Sequence, residues 1–431
     1  MTPNIAKHPK RGPIEAIVYY FCLIIGGFVA TLCVYKGMSL DSPQFISAFI
    51  LLINGYQVYY VRKNYNLLII FGMILFFNYS IILPNYFFPI DSVFIIDPHL
   101  TWNVISLNVL FVFNYLLMFT IPKRLRSLET QLFWEKSKIW HSTTHFVLIT
   151  TLLYVFIFEF KMPESTGGRG TGTPIYEYSV ILMMFALSFS NKKNLMRTYI
   201  FLSLLFILQE NIFGARLIAL QYMICIYVLV FAEKYKLQKV FPLIILVFFV
   251  YNIIGSVRGG LLYGGYQADN IINVLKGNLF TQDTAYSAYY TSETAVRRCL
   301  EITTAERLAL FGDFLKSIFI GESGEQHARV LASYASEFYK NWGGGVIPHH
   351  FYCFLGIPGL LIPIALLRYY FHIISSENFI NKPLLKCIGF YITVSCPRWY
   401  LYSPLILIRA ILFLIIAYIV FNTFNRITAG K

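Results

Sequence analysis

The chain has 431 residues, of which 57% are hydrophobic, 18% aromatic and only 13% charged. A soluble domain carries about 25% charged residues, so this composition excludes an ordinary water-soluble globule and points to a polytopic membrane protein. The formal net charge of +14 reads as the usual excess of cytoplasmic lysine in membrane proteins, and no nucleic-acid motif accompanies it.

In hydrocarbon every backbone polar group must be satisfied within its own segment, so the fold expected is an all-α bundle. Apolar runs predict spans at about 16–35, 45–61, 67–83, 104–121, 145–160, 175–190, 198–214, 216–232, 240–257, 346–367, 384–397 and 404–422. That is about twelve helices, with both termini on one side. Lys7, Lys10 and Arg11 precede the first run and no small-residue cleavage site follows it, which reads as a retained first span.

Charge assigns the sides. Arg62 and Lys63, then Lys123, Arg124, Arg126, Lys136 and Lys138, then Lys192, Lys193 and Arg197, then Lys234, Lys236 and Lys239 mark alternate connections as cytoplasmic. Loop 84–103 has no Lys or Arg and carries Asp91, Asp97 and His99, as an external loop should. Loop 161–174 is rich in Gly, Ser and Thr and reads as a flexible external connection.

The organisation predicted is then nine transmembrane helices over 1–257, one large external loop over 258–345, and three more helices over 346–431. The loop is expected to be partly helical. Thr303-Thr304-Ala305-Glu306 has capping-box spacing, and Leu308, Phe311, Leu315 and Ile318 then fall on one helical face. A second helix is expected from about Glu325 to Tyr339, ended by Gly343-Gly344-Gly345. Five of the seven cysteines fall in apolar runs without paired spacing, while Cys299 and Cys396 both lie on the external side, where a bridge between them is open.

On this topology the cytoplasmic side holds fourteen lysines and seven arginines, and the external side five lysines and nine arginines. External arginine runs against the topology signal and suits a planar, permanently charged fork that grips phosphate or carboxylate. Arg216, Arg258, Arg398 and Arg409 sit at helix ends or within helices. Arg409 lies about 8 Å below the external end of the last span, at 1.5 Å per residue, where an arginine faces a cavity or a partner. Pairing with Glu159 or Glu210 is the structural alternative for these arginines.

His349 and His350 stand together at the start of a span, just after the glycine run. Either can take a proton from a hydroxyl near neutral pH. Asp283, Glu293, Glu322, Glu325 and Glu337 in the same loop are rivals for that role. No carboxylate-x-carboxylate motif stands at the loop's roots, so no metal and no cofactor are expected.

Gly214-Ala215-Arg216 opening a mid-chain helix, Arg258 rooting one large late loop, and Gly343-Gly344-Gly345 leading into a helix with Gly356-Ile357-Pro358-Gly359 together resemble the O-antigen polymerases of the Wzy type. The resemblance implies a GT-C-like bundle in the bacterial inner membrane, with cytoplasmic termini and a periplasmic loop. It implies joining of undecaprenyl-diphosphate-linked oligosaccharide units, with Arg216 and Arg258, and Arg409 beside them, on the diphosphate and His349 or His350 as base. The implied partners are the lipid-linked donor and acceptor, membrane lipid, a chain-length regulator and a flippase, and no nucleic acid. The chain departs from the family in lacking the paired arginine-plus-eleven-to-glycine loop signature. A histidine before Gly-x-x-Gly is also similar to the O-antigen ligases, and a polysaccharide flippase or transporter and a purely structural protein remain the other readings.

Overall fold

The computed structural model describes residues 13–62, 64–87, 103–122, 139–162, 170–190, 192–213, 216–231, 283–319, 334–335, 337–339, 343–375 and 382–430. They form α1 (Pro13–Tyr35), α2 (Pro43–Val61), α3 (Tyr65–Ile82), α4 (Val104–Leu117), α5 (Ser142–Phe158), α6 (Pro174–Ser188), α7 (Lys193–Ile212) and α8 (Arg216–Ile226). After these come α9 (Asp283–Glu301), α10 (Thr304–Phe319), α11 (Ile347–Leu355), α12 (Leu361–Ile374), α13 (Pro383–Val394), α14 (Cys396–Leu401) and α15 (Pro404–Thr428). The expected span at 240–257 and most of the expected helix at 325–339 lie outside the described residues.

Among the described residues, five stretches are long and apolar enough to cross a membrane: Glu15–Tyr35, Tyr65–Phe87, Lys193–Ile212, Ile357–Ile374 and Pro404–Thr428. Shorter apolar helices cover Val104–Leu117, Ser142–Phe158, Pro174–Ser188, Leu217–Phe231 and Pro383–Val394. This is an all-α, membrane-embedded architecture. Phe21, Ile24 and Phe28 on α1 are exposed, as lipid-facing side chains are.

The helices start where local chemistry satisfies their first N–H groups. The Asn64 side chain accepts from Leu67 N at 3.2 Å, Asn103 accepts from Ile105 N at 2.8 Å, and Thr173 accepts from Tyr176 N at 3.3 Å. Pro43, Pro174 and Pro383 each stand at the first turn of a helix, where the missing N–H has no intrahelical partner to lose.

The chain packs as two compact units, each assembled from separated segments. The first comprises 1–129, 280–379 and 399–406; the second comprises 130–279, 380–398 and 407–431.

In the first unit α2, α3 and α4 enclose a buried amide network. Asn54 Nδ2 donates to Asn114 Oδ1 at 2.7 Å and Asn78 Nδ2 to Asn54 Oδ1 at 2.8 Å. Gln57 Nε2 donates to the Asn114 carbonyl at 3.0 Å, and Tyr400 OH donates to Asn78 Oδ1 at 2.9 Å. Interhelical hydrogen bonds of this kind contribute about 0.6 kcal/mol each in a membrane, so the network fixes register more than it adds stability.

In the second unit His145 Nδ1 lies 2.8 Å from Tyr199 OH, Tyr176 OH donates to Gln209 Oε1 at 2.9 Å, and Ser179 Oγ meets Tyr222 OH at 2.5 Å. The loop expected to be a free tether is pinned at both roots. Phe160–Lys161 pairs antiparallel with Thr171–Gly172, and Gly170 N donates to the Phe213 carbonyl at 2.7 Å. No side chain fits at Gly170 or Gly172, because a Cβ at either would come within 2.6 Å of Phe160 or Tyr176.

Two further features differ from the sequence-based expectation, both in the last third of the chain. The expected span at 346–367 is broken: α11 ends at Gly356, whose φ is +67°, and a turn over Ile357–Leu360 precedes α12. Pro358 supplies no N–H, and Gly359 lets the backbone close up where a Cβ would stand 2.0 Å from the Phe351 carbonyl oxygen. The expected span at 384–397 is α13 followed at Ser395 by the separate short helix α14. The seven cysteines are all free, Cys299 and Cys396 included.

Candidate functional site

The capping box predicted at Thr303 forms. Thr303 N donates to Glu306 Oε2 at 2.8 Å, and Glu306 N donates back to Thr303 Oγ1 at 3.3 Å, opening α10. These hydrogen bonds, the Thr303 N–H first, hold the Glu306 carboxyl below its usual range.

The preceding helix, α9, was not anticipated. It packs against α3, α4 and α11. From Ala285 to Val296 its residues, Ser287 excepted, are buried all round, and their small, hydroxyl-bearing and tyrosine side chains give no apolar stripe.

The glycine run is a backbone thread held between α9 and the turn after α14. Gly343, Gly344 and Gly345 have φ of +86°, +84° and +152°. A Cβ at Gly344 would meet the Leu401 carbonyl oxygen at 2.8 Å, and one at Gly345 would meet His350 Nε2 at 2.7 Å. Gly345 N donates to the Leu401 carbonyl at 2.8 Å, Thr291 Oγ1 to the Gly343 carbonyl at 3.0 Å, and Val346 N to Ser292 Oγ at 2.7 Å.

His349 and His350 are both buried at the start of α11. His350 Nε2 lies 3.0 Å from the Tyr402 carbonyl and 3.3 Å from that of Gly345, which makes it a donor strapping the thread to the turn. His349 Nε2 lies 3.0 Å from the Ser106 carbonyl, while its Nδ1 is buried with no hydrogen-bond partner. The His349 ring meets the Tyr289 ring edge to face at 5.7 Å.

A carboxylate is also buried on α9. Glu293 is 2% exposed, and its Oε1 accepts from Asn103 N at 3.0 Å, just ahead of α4. Burial holds its carboxyl well above the usual carboxylate range, opposed only by that backbone hydrogen bond. One turn earlier on the same face, Tyr289 OH lies 3.1 Å from Tyr86 OH. Tyr289 is buried and Tyr86 lies near the end of the apolar stretch Tyr65–Phe87, so the hydroxyl pair joins α9 to that stretch.

The arginines divide by task. Arg398 Nη2 is paired with Glu177 Oε1 at 2.8 Å, a carboxylate other than the two expected from sequence. Arg409 is half-exposed on α15, and its charge and that of Arg398 both act on Tyr178. Arg216 begins α8, and Arg258 lies outside the described residues.

Arg307, which the sequence did not single out, caps the broken helix. Its Nε donates to the Cys353 carbonyl at 2.7 Å and its Nη2 to the Tyr352 carbonyl, satisfying the end of α11. Arg298 pairs with Glu301 at 3.1 Å and lies 3.7 Å from the Phe338 ring centroid. Among the described residues no group of three or more His, Cys, Asp or Glu could hold a metal ion.

The fold defines the class as an all-α membrane protein in which α9 is packed on α3, α4 and α11. Comparison with protein-family models, with curated proteins and with solved structures finds no match.

Proposed function

We propose that the chain is a membrane glycosyltransferase that polymerises undecaprenyl-diphosphate-linked oligosaccharide units at the periplasmic face of the inner membrane. What carries this reading is the layer formed by α9 and α11. An otherwise polar helix brings Tyr289 against His349 and carries Glu293 one turn further on, all three buried, and a protein whose long loop served only as a tether would have no use for such a layer.

In this reading Arg216, Arg258 and Arg409 stabilise the departing diphosphate with fixed charge. The acceptor hydroxyl gives its proton to a base in the α9–α11 layer. His350 Nε2 faces two carbonyls, and in this reading His350 serves as a strap.

Arg216→Lys and Arg258→Lys test the diphosphate grip, since lysine keeps the charge but not the bidentate fork. Both variants should accumulate to wild-type levels in the membrane and yield surface glycan of one repeat unit instead of a ladder. A full ladder from both would end the assignment.

A transporter is the second reading. The break at Gly356 favours it, because broken helices carry the substrate sites of many transporters. The glycan of a deletion strain decides. Single units on the lipid core mark a lost polymerase, full-length lipid-linked chains a lost ligase, and cytoplasmic single units a lost flippase.

A further inference from the structure

The helix α10 has three faces. At 3.6 residues per turn Leu308, Leu315 and Phe319 fall within about 40° of one another, and these side chains are 52%, 44% and 81% exposed. To one side of this stripe stand Arg307, Phe311 and Phe314, which meet α11. To the other stand Glu306, Asp313 and Lys316, the last two ion-paired at 3.1 Å.

The contacts with α11 fix how α10 lies. Arg307 reaches the Tyr352 and Cys353 carbonyls, Phe311 meets Phe354 at 5.7 Å, and Phe314 meets Phe354 at 5.2 Å and Phe351 at 6.3 Å. From Arg307 to Phe314 the helix advances about 10 Å at 1.5 Å per residue, whereas its partners Phe351 to Phe354 cover only about 5 Å of α11. So α10 crosses α11 over its last turn instead of running beside it.

That turn is where a membrane-crossing stretch begins. A Cβ at Gly356 would stand 3.6 Å from Arg307 Nη2, and the apolar stretch Ile357–Ile374 follows at once, with Pro358 and Leu361 exposed at its start. The stripe on α10 therefore continues, at the same level, the exposed apolar surface with which that stretch enters the bilayer.

We propose that α10 is an interfacial helix, lying on the bilayer surface with Leu308, Leu315 and Phe319 sunk among the lipid acyl chains. Its polar face sets two carboxylates, Glu306 and Asp313, against one ammonium, Lys316, so it has no basic surplus to draw it to anionic headgroups. Burial of the apolar stripe is what holds it there, and uncharged lipid suffices. The placement is independent of what the protein catalyses.

The test uses the full-length protein in phosphatidylcholine vesicles, with a nitroxide on a cysteine introduced at one position at a time. The seven native cysteines are all buried, and the unsubstituted protein is the blank. Labels at Leu308→Cys, Leu315→Cys and Phe319→Cys should collide several-fold more with oxygen, which concentrates among acyl chains, than with a water-soluble nickel chelate. Labels at Ala309→Cys and Lys316→Cys should show the reverse. Leu315→Cys and Phe319→Cys each carry the test alone if another variant does not fold.

Nickel access at Leu315 and Phe319 equal to that at Lys316 puts the stripe in water and overturns the proposal. Labels reached by neither reagent show the stripe covered by protein, a second copy or another segment, and overturn it as well. An oxygen preference that appears only when phosphatidylglycerol is added overturns the apolar insertion in favour of headgroup attraction.

Discussion

Arg307 Nε donates to the Cys353 carbonyl across 2.7 Å, so a guanidinium from α10 closes the C-terminal end of α11 at the point where the helix breaks. Phe311 and Phe314 of α10 stack against Phe354 of α11 beside it, at centroid distances of 5.7 and 5.2 Å. An arginine of α10 is here a helix cap.

That relationship yields the first prediction. Arg307→Gln should lower stability by about 1.5–3 kcal/mol, the usual contribution of hydrogen bonds to a charged donor. Thermal unfolding in detergent reads this directly. Binding of a lipid diphosphate should be unchanged, and a large loss of binding with unchanged melting would make Arg307 a ligand contact instead.

The break itself depends on Gly359. Its Cβ position is 2.0 Å from the Phe351 carbonyl oxygen, so Gly359→Ala forces the backbone apart and should destabilise by about 1–3 kcal/mol or more. Gly312, where an added Cβ meets nothing within 4 Å, is the control. Gly312→Ala should melt at or above the wild-type temperature, since alanine favours the helix by roughly 1 kcal/mol.

The two histidines should behave unequally. His350→Ala leaves the carbonyls of Gly345 and Tyr402 without their donor and should cost about 1–3 kcal/mol of stability. His349→Ala should act more on turnover, because it removes the ring that meets Tyr289. Melting curves and transfer rates of the two variants separate these roles, and equal effects in both assays would refute the division.

Stability should depend on pH with opposite signs at two glutamates. Glu306 is held below its unfolded value by Thr303, so its contribution is present above that value and is lost as pH falls through the folded one. Glu293 is raised by burial, so its contribution is present below the unfolded value and is lost as pH rises through the folded one. The hydrogen-exchange protection factors of α10, corrected for the intrinsic pH dependence of exchange, should therefore fall in acid. Glu293→Gln should melt higher than the wild type at neutral pH and no higher in acid.

Topology is tested by reporter fusions. Those after Asn103, Tyr266 and Tyr402 should read external, and those after Lys138, Lys193 and Lys239 cytoplasmic. One reversed pair would move the proposed chemistry to the other face.

What the sequence determined by itself is what depends on neighbours along the chain. Apolar run length located α1 to α8 to within a few residues of their ends, and the box Thr303-Thr304-Ala305-Glu306 located the start of α10. Such features are local, set by transfer of a segment out of water and by caps three residues away.

Tertiary structure decided the rest. Nothing in the spacing of Ala285, Tyr289, Ser292 and Glu293 marks α9 as buried, because its partners come from Tyr86, Asn103 and His349, far away in sequence. The continuous apolar run from Val346 hid the break at Gly356, which follows from one carbonyl's approach to Gly359 and from the reach of Arg307. The sequence put His349 and His350 forward as the base, with five carboxylates as rivals. Burial and hydrogen-bond partners separate His349, His350 and Glu293, since what a titratable group can do is fixed by what surrounds it in space.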